Sequence, residues 1–297
     1  MKRFFPVLLL YFISCHFLVA QIPRFDSESA YRYLKIQCGF GPRYPGSEGH
    51  IRCQKFLVDE LSKYADRVER QPFLYSNQKL RTKTTLNNLI AYFGNQDNPI
   101  LLCAHWDTRP WADFDPIKKN RDKPILGAND GASGVAVLLE IARIMKENPP
   151  PVGVCIVLFD GEDSGTYGID KTWCVGSRFF AHNLPPDFNP QYGILIDMIG
   201  DRDLTLPMEK NSLRYAEDLV YKVWTIARQK GLNQFIFSEG SEIIDDHLEL
   251  IKVGIPVIDI IDFEYPYWHT LGDTEDKCSP ESLGVVGTLL LSLIYEH

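Results

Sequence analysis

Five short polar clusters carry the residues of this chain that could do chemistry: His105-Trp106-Asp107, Asn129-Asp130-Gly131, Asp160-Gly161-Glu162-Asp163, Asp197, and Trp268-His269. Each alone has an ordinary structural use, Asp130 as a helix N-cap or Glu162-Asp163 as a solvated turn. Together, two histidines and several carboxylates make a mixed nitrogen and oxygen donor set. Such a set suits a zinc ion, which takes imidazole and carboxylate ligands in tetrahedral geometry. Calcium takes about six to eight oxygens and has no use for imidazole. Glu162 and Asp163 are neighbours on what reads as a loop, so one side chain can face a metal while the other faces a substrate. A carboxyl group held near a cation and partly desolvated can act as general acid and base, and Glu162 is the candidate. Desolvation pulls its proton affinity up and the cation pulls it down.

These clusters need a frame. The continuous apolar runs at 89–93, 100–104, 152–159, 194–198 and 257–261 read as strands buried on both faces. Apolar residues recur every three to four positions over 50–64, 133–145, 212–229 and 280–295, which read as helices. Strand and helix in alternation predict an α/β fold with a central, mixed but mostly parallel sheet covered by helices on both faces. In such sheets ligands bind beyond the carboxyl ends of the strands, and the polar clusters sit at or near those ends. The glycines at 127, 131 and 134 read as turn and packing positions, since the Lys-Ser/Thr of a phosphate-binding loop is missing.

The 297 residues are 45% hydrophobic and 24% charged, which excludes a disordered chain, a collagen and a multispanning membrane protein. A net charge of −8 argues against nucleic acid as a partner. Lys2 and Arg3 precede an apolar stretch reaching Val19, so residues 1–20 read as a signal peptide or N-terminal anchor. Residues 21–297 are then a single catalytic domain. Export to the periplasm or outside the cell is expected, with membrane attachment through the N-terminal segment as the alternative. Beyond Cys15 the cysteines show no CxxC spacing, which removes a thiolate zinc site. Disulfides are open to them in an oxidising compartment, whereas Cys103 and Cys155, inside apolar runs, read as buried free thiols.

The clusters, in this order, resemble the zinc-dependent aminopeptidase superfamily, and most closely its bacterial-type glutaminyl cyclase branch. The resemblance runs from Gly41-Pro42-Arg43-Tyr44-Pro45-Gly46-Ser47 to the last helix. It implies a zinc aminopeptidase-like α/β sandwich in which Asp130, Asp163 and His269 bind zinc. In the aminopeptidases the positions of His105 and Asp197 help to hold a second zinc. In the cyclases the position of Asp197 instead supports the catalytic glutamate, here Glu162, and one zinc suffices. Asp245-Asp246-His247, Asp197-Met198-Ile199-Gly200 and the Trp268 before His269 are cyclase-like. The resemblance gives Glu162, Asp197 and Asp245 catalytic parts and makes Trp268 the wall of a pocket for a glutamine side chain. It implies that peptides and proteins bearing N-terminal glutamine are cyclised to pyroglutamate with release of ammonia. The alternative is a two-zinc aminopeptidase. The chain departs from the cyclase pattern at Ile244, where glutamine is frequent, and at Asp163, where many have a second glutamate. Tyr167 and Trp173 are the candidates for an aromatic residue that follows the Glu pair in animal cyclases. Asp107 is expected to orient His105, Asp246 to cap a helix starting near His247, and His247 itself to be structural.

Overall fold

A computed structural model describes residues 22–77, 79 and 81–296. The segment read as a signal peptide or anchor lies outside the described residues. The strands are β1 (Arg67–Asn77), β2 (Thr82–Phe93), β3 (Ile100–His105), β4 (Val154–Phe159), β5 (Tyr192–Asp197), β6 (Leu206–Met208), β7 (Phe235–Glu239) and β8 (Val257–Ile261). The helices are α1 (Ser27–Gly39), α2 (Glu48–Tyr64), α3 (Ala132–Glu147), α4 (Val175–His182), α5 (Lys210–Gln229), α6 (Asp246–Ile251) and α7 (Pro280–Tyr295).

One six-stranded sheet runs in the order β1-β2-β4-β3-β5-β8. Strands β4, β3, β5 and β8 are parallel, while β1 pairs with β2, and β2 with β4, antiparallel. This is the mixed, mostly parallel sheet that the alternation of elements implied. Strand β4 shows why its sequence is apolar throughout: Val154, Ile156 and Leu158 enter one core while Cys155, Val157 and Phe159 enter the other. Helices α1, α3 and α7 pack on one another over the first face, beside α2 and α5, and α4 and α6 cover the second. Gly134 lets α3 close onto the sheet, since a Cβ there would lie 2.5 Å from the Ile196 carbonyl oxygen. Helix α7 starts where its sequence says, with Ser279 accepting the Ser282 N–H at 3.1 Å and Pro280 in the first turn.

Several elements were not anticipated. The hairpin arm β1 and the first half of β2 are largely polar and alternate only weakly, and the run at 89–93 is the end of β2. The small β6–β7 sheet and the helices α1 and α4 are also additions, while α6 is the helix expected near His247. Cys38, Cys53, Cys103, Cys155, Cys174 and Cys278 are all buried and free, so no disulfide forms among the described residues. Burial pushes the Cys53 thiol up to about 12, which keeps it protonated. Among the described residues no helix is long and apolar enough to cross a membrane.

Candidate active site and metal centre

The sheet delivers its polar residues to one rim. His105 ends β3, Glu162 and Asp163 follow β4, Asp197 ends β5, and Asp130 stands just before α3. His269 arrives on the loop beyond β8. Its Nε2 lies 3.1 Å from Asp163 Oδ1 and 3.6 Å from Asp130 Oδ2. The other Asp130 oxygen, Oδ1, lies 3.1 Å from His105 Nε2, which is 3.2 Å from Asp197 Oδ1. Asp130 therefore stands between two donor sets, Asp130–Asp163–His269 and His105–Asp130–Asp197, each with its ligand atoms within 4.8 Å of one another. All these side chains are buried.

The residues fit a divalent cation. Carboxylates packed this closely away from water need a positive charge among them. Asp163 Oδ2 is buried without a hydrogen-bond partner. Burial and the neighbouring Asp130 push the Asp163 carboxyl up, an effect a bound cation would offset. The imidazole and carboxylate donors are those zinc favours. Gly131 makes room for the arrangement, because a Cβ there would lie 2.4 Å from His105 Nε2. Backbone strain collects here as well. Cys174, Met198 and His269 have φ of 53°, 46° and 54°, in the left-handed region, which costs about 1–3 kcal/mol for a residue with a side chain.

Glu162 is buried beside the first donor set. Its carboxyl, the Asp245 carboxyl and the Cys174 thiol have atoms within 4.8 Å of one another. Cys174 Sγ donates to Glu162 Oε1 at 3.4 Å. Burial, then the charges of Asp163, Asp245 and Asp246, push the Glu162 carboxyl well above its ordinary range, against the pull of His105. Burial and the Asp197 charge push Asp245 up to about 7. Carboxyls this close raise one another and titrate as a coupled set.

Asp107 does more than the sequence suggested. Its Oδ1 faces His105 Nδ1 at 3.6 Å, an ion-pair contact longer than a hydrogen bond. It also holds the loop after β4, accepting the N–H of Glu162 at 3.0 Å and that of Asp163 at 3.3 Å. One expectation is corrected. The cap of α6 is Asp245, which accepts the Asp246 N–H at 2.5 Å, and Asp246 is the first helical residue. His247 is fully buried between Glu209 (3.5 Å) and Asp259 (3.8 Å) and does not line the cavity.

A cavity of about 320 Å³ opens over these groups. Asp130, Glu162, Asp163, Asp197, Asp245 and His269 form its floor, and Trp268, Trp173, Tyr167, Ile243, Ile244 and Phe263 are in its walls. Trp268 stacks on His269 with ring centroids 4.1 Å apart. Arg109 was missed by sequence reasoning. Its buried guanidinium bonds Asp113 at 2.8 and 2.6 Å and the Asp163 carbonyl at 2.9 Å. Its place four residues after His105 was the available signal, but charge alone does not announce burial.

Residues 88–294 match the family model of peptidase family M28. The glutaminyl cyclase of Bacteroides thetaiotaomicron, solved with N-acetylhistamine bound, is 38% identical, with a TM-score of 0.90 over 93% of this chain and 100% of that one. The Tannerella forsythia glutaminyl cyclase is 40% identical, with a TM-score of 0.88 over 93% of this chain and 100% of that one. A structure described as a leucine aminopeptidase precursor from Bacteroides thetaiotaomicron is 38% identical, with a TM-score of 0.90 over 93% of this chain and 99% of that one. The chain belongs to peptidase family M28, and among its structural neighbours in that family are bacterial glutaminyl cyclases.

Proposed function

We propose that the protein is a zinc-dependent glutaminyl-peptide cyclotransferase, turning the N-terminal glutamine of peptides and proteins into pyroglutamate with release of ammonia. The observation that carries this reading is the buried Glu162–Asp245 pair beside the Asp130–Asp163–His269 donor set, under the indole of Trp268. The likeness to cyclase structures along nearly the whole chain supports it. Asp130, Asp163 and His269 would hold one zinc ion. When bound, zinc supplies Lewis acidity toward the γ-carbonyl oxygen of the substrate's glutamine.

The remaining work belongs to the chain. Trp268 and the apolar wall fold the glutamine side chain back toward its own α-amine. The reaction is intramolecular, so this positioning is the main task. Glu162 takes a proton from the attacking amine and returns one to the departing ammonia. A carboxyl whose proton affinity lies well above the ordinary range suits a group that must both accept and donate. Asp245 and Asp197 share the proton load and orient Glu162. No water is consumed, so nothing here requires a nucleophilic hydroxide. Export through residues 1–20 is part of the proposal and rests on the sequence.

A second reading has its own support. The His105–Asp130–Asp197 set offers donors for a second ion, as a two-zinc aminopeptidase would need. The zinc-loaded protein, given a Gln-initiated and a Leu-initiated peptide, separates the two. Ammonia from the first, no free leucine from the second and one zinc per chain support the cyclase. Free leucine with two zincs replaces it by the peptidase.

A further inference from the structure

We propose that Tyr167 is a positioning residue for the metal centre, holding His269 in the tautomer and orientation that turn Nε2 toward the ion. The inference rests on the zinc assignment above and not on which reaction the centre performs.

An imidazole that offers its Nε2 lone pair to a metal must carry its proton on Nδ1, and that proton needs an acceptor. The usual acceptor is a carboxylate or a backbone carbonyl. Here the Tyr167 hydroxyl oxygen stands 2.6 Å from His269 Nδ1. The neighbouring carboxylate, Asp113 Oδ1, is 3.8 Å away and beyond hydrogen-bond reach. With an ion on Nε2, which faces Asp163 and Asp130, the phenol oxygen is the group placed to accept from Nδ1–H.

Tyr167 is 46% exposed, and a side chain at a cavity mouth needs bracing if it is to hold a ligand. The brace is Arg109. Its guanidinium lies 5.0 Å from the Tyr167 ring centre and 4.6 Å from that of Trp173. The same guanidinium donates to the Asp163 and Gly165 carbonyls at 2.9 and 3.3 Å and reaches Asp163 Oδ1 at 3.4 Å. One buried cation therefore fixes the root of the loop, touches one ligand and supports the ring that holds another. Trp268 stacks on the imidazole with ring centroids 4.1 Å apart, which restricts its rotation.

The test uses the full chain and zinc, with no substrate. Zinc affinity is measured by competition with a chromogenic chelator for the wild type and Tyr167→Phe, which keeps the ring and removes the acceptor. The dissociation constant of the variant should rise about 10- to 100-fold. Nitrogen-detected NMR of the zinc-loaded wild type should show His269 protonated on Nδ1, a readout that needs no variant. A Tyr167→Phe affinity within twofold of wild type, or a His269 proton on Nε2, would overturn the proposal. Because neither measurement involves turnover, a finding of peptidase rather than cyclase activity would leave both interpretable.

Discussion

The Asp107 carboxylate accepts the backbone N–H of Glu162 at 3.0 Å. Its second oxygen takes the next N–H, that of Asp163, at 3.3 Å. A residue just beyond β3 thereby shapes the loop after β4, across the parallel β3–β4 pair. In Asp107→Ala both amides lose their acceptor in a buried place, at a cost of about 1–3 kcal/mol each. Urea unfolding of the variant should show that loss of stability, together with reduced turnover. An unchanged unfolding midpoint would contradict the bond pattern.

Glu162→Gln keeps the size of the side chain and removes its capacity to carry a proton. Turnover should fall by about 10²- to 10⁴-fold. Zinc content, read by atomic absorption, should not change, because Glu162 lies outside the Asp130–Asp163–His269 set. Near-normal turnover would take the proton-transfer role away from Glu162.

Metal stoichiometry distinguishes the two donor sets that meet at Asp130. Asp130→Ala removes a ligand common to both and should abolish zinc retention on gel filtration. His105→Ala touches only the set with Asp197 and should leave one zinc per chain. A drop from two zincs to one in His105→Ala would place a second ion at His105.

The metal-free protein should lose stability as pH rises from about 4 to about 7. Burial raises Asp245 and Asp273 from 3.8 to about 7 each, so the folded chain binds more protons than the unfolded one across that window. Their contribution is complete below the unfolded value and is lost as pH passes the folded one. His105, raised well above its ordinary value of 6.5 by Asp197 against the effect of burial, acts in the same direction only above that value, at the top of the window. Glu209 is held at about 2 by His247 against burial, so its stabilising effect still grows up to its ordinary value of 4.5, against the trend, and is complete above it. Zinc should flatten the slope by favouring the charged carboxylates. Urea titrations of chelated and zinc-loaded protein at several pH values give the comparison, and a chelated protein that gains stability over this range would refute the assignment.

The sequence was most legible where burial is two-sided. Val154 to Phe159 must be apolar at every position because alternate residues enter different cores, and that run needs no tertiary information to be read as a strand. Arg67–Asn77 was invisible for the opposite reason, since few of its side chains are buried and its pairing with β2 is made by backbone bonds. Arg109 was passed over because a guanidinium is ordinarily exposed, and only its carbonyl and carboxylate partners make burial tolerable.

By itself, then, the sequence determined the mixed α/β sheet and the polar clusters at its strand ends, because apolar runs and the residues that interrupt them are local properties. Tertiary structure alone decided that Asp130 stands between two donor sets, that Asp107 serves the Glu162 loop as well as facing His105, and that Tyr167 meets His269. Those distances depend on the register of β3, β4, β5 and β8 and on the path of the loops between them. Separation along a chain does not set separation in space.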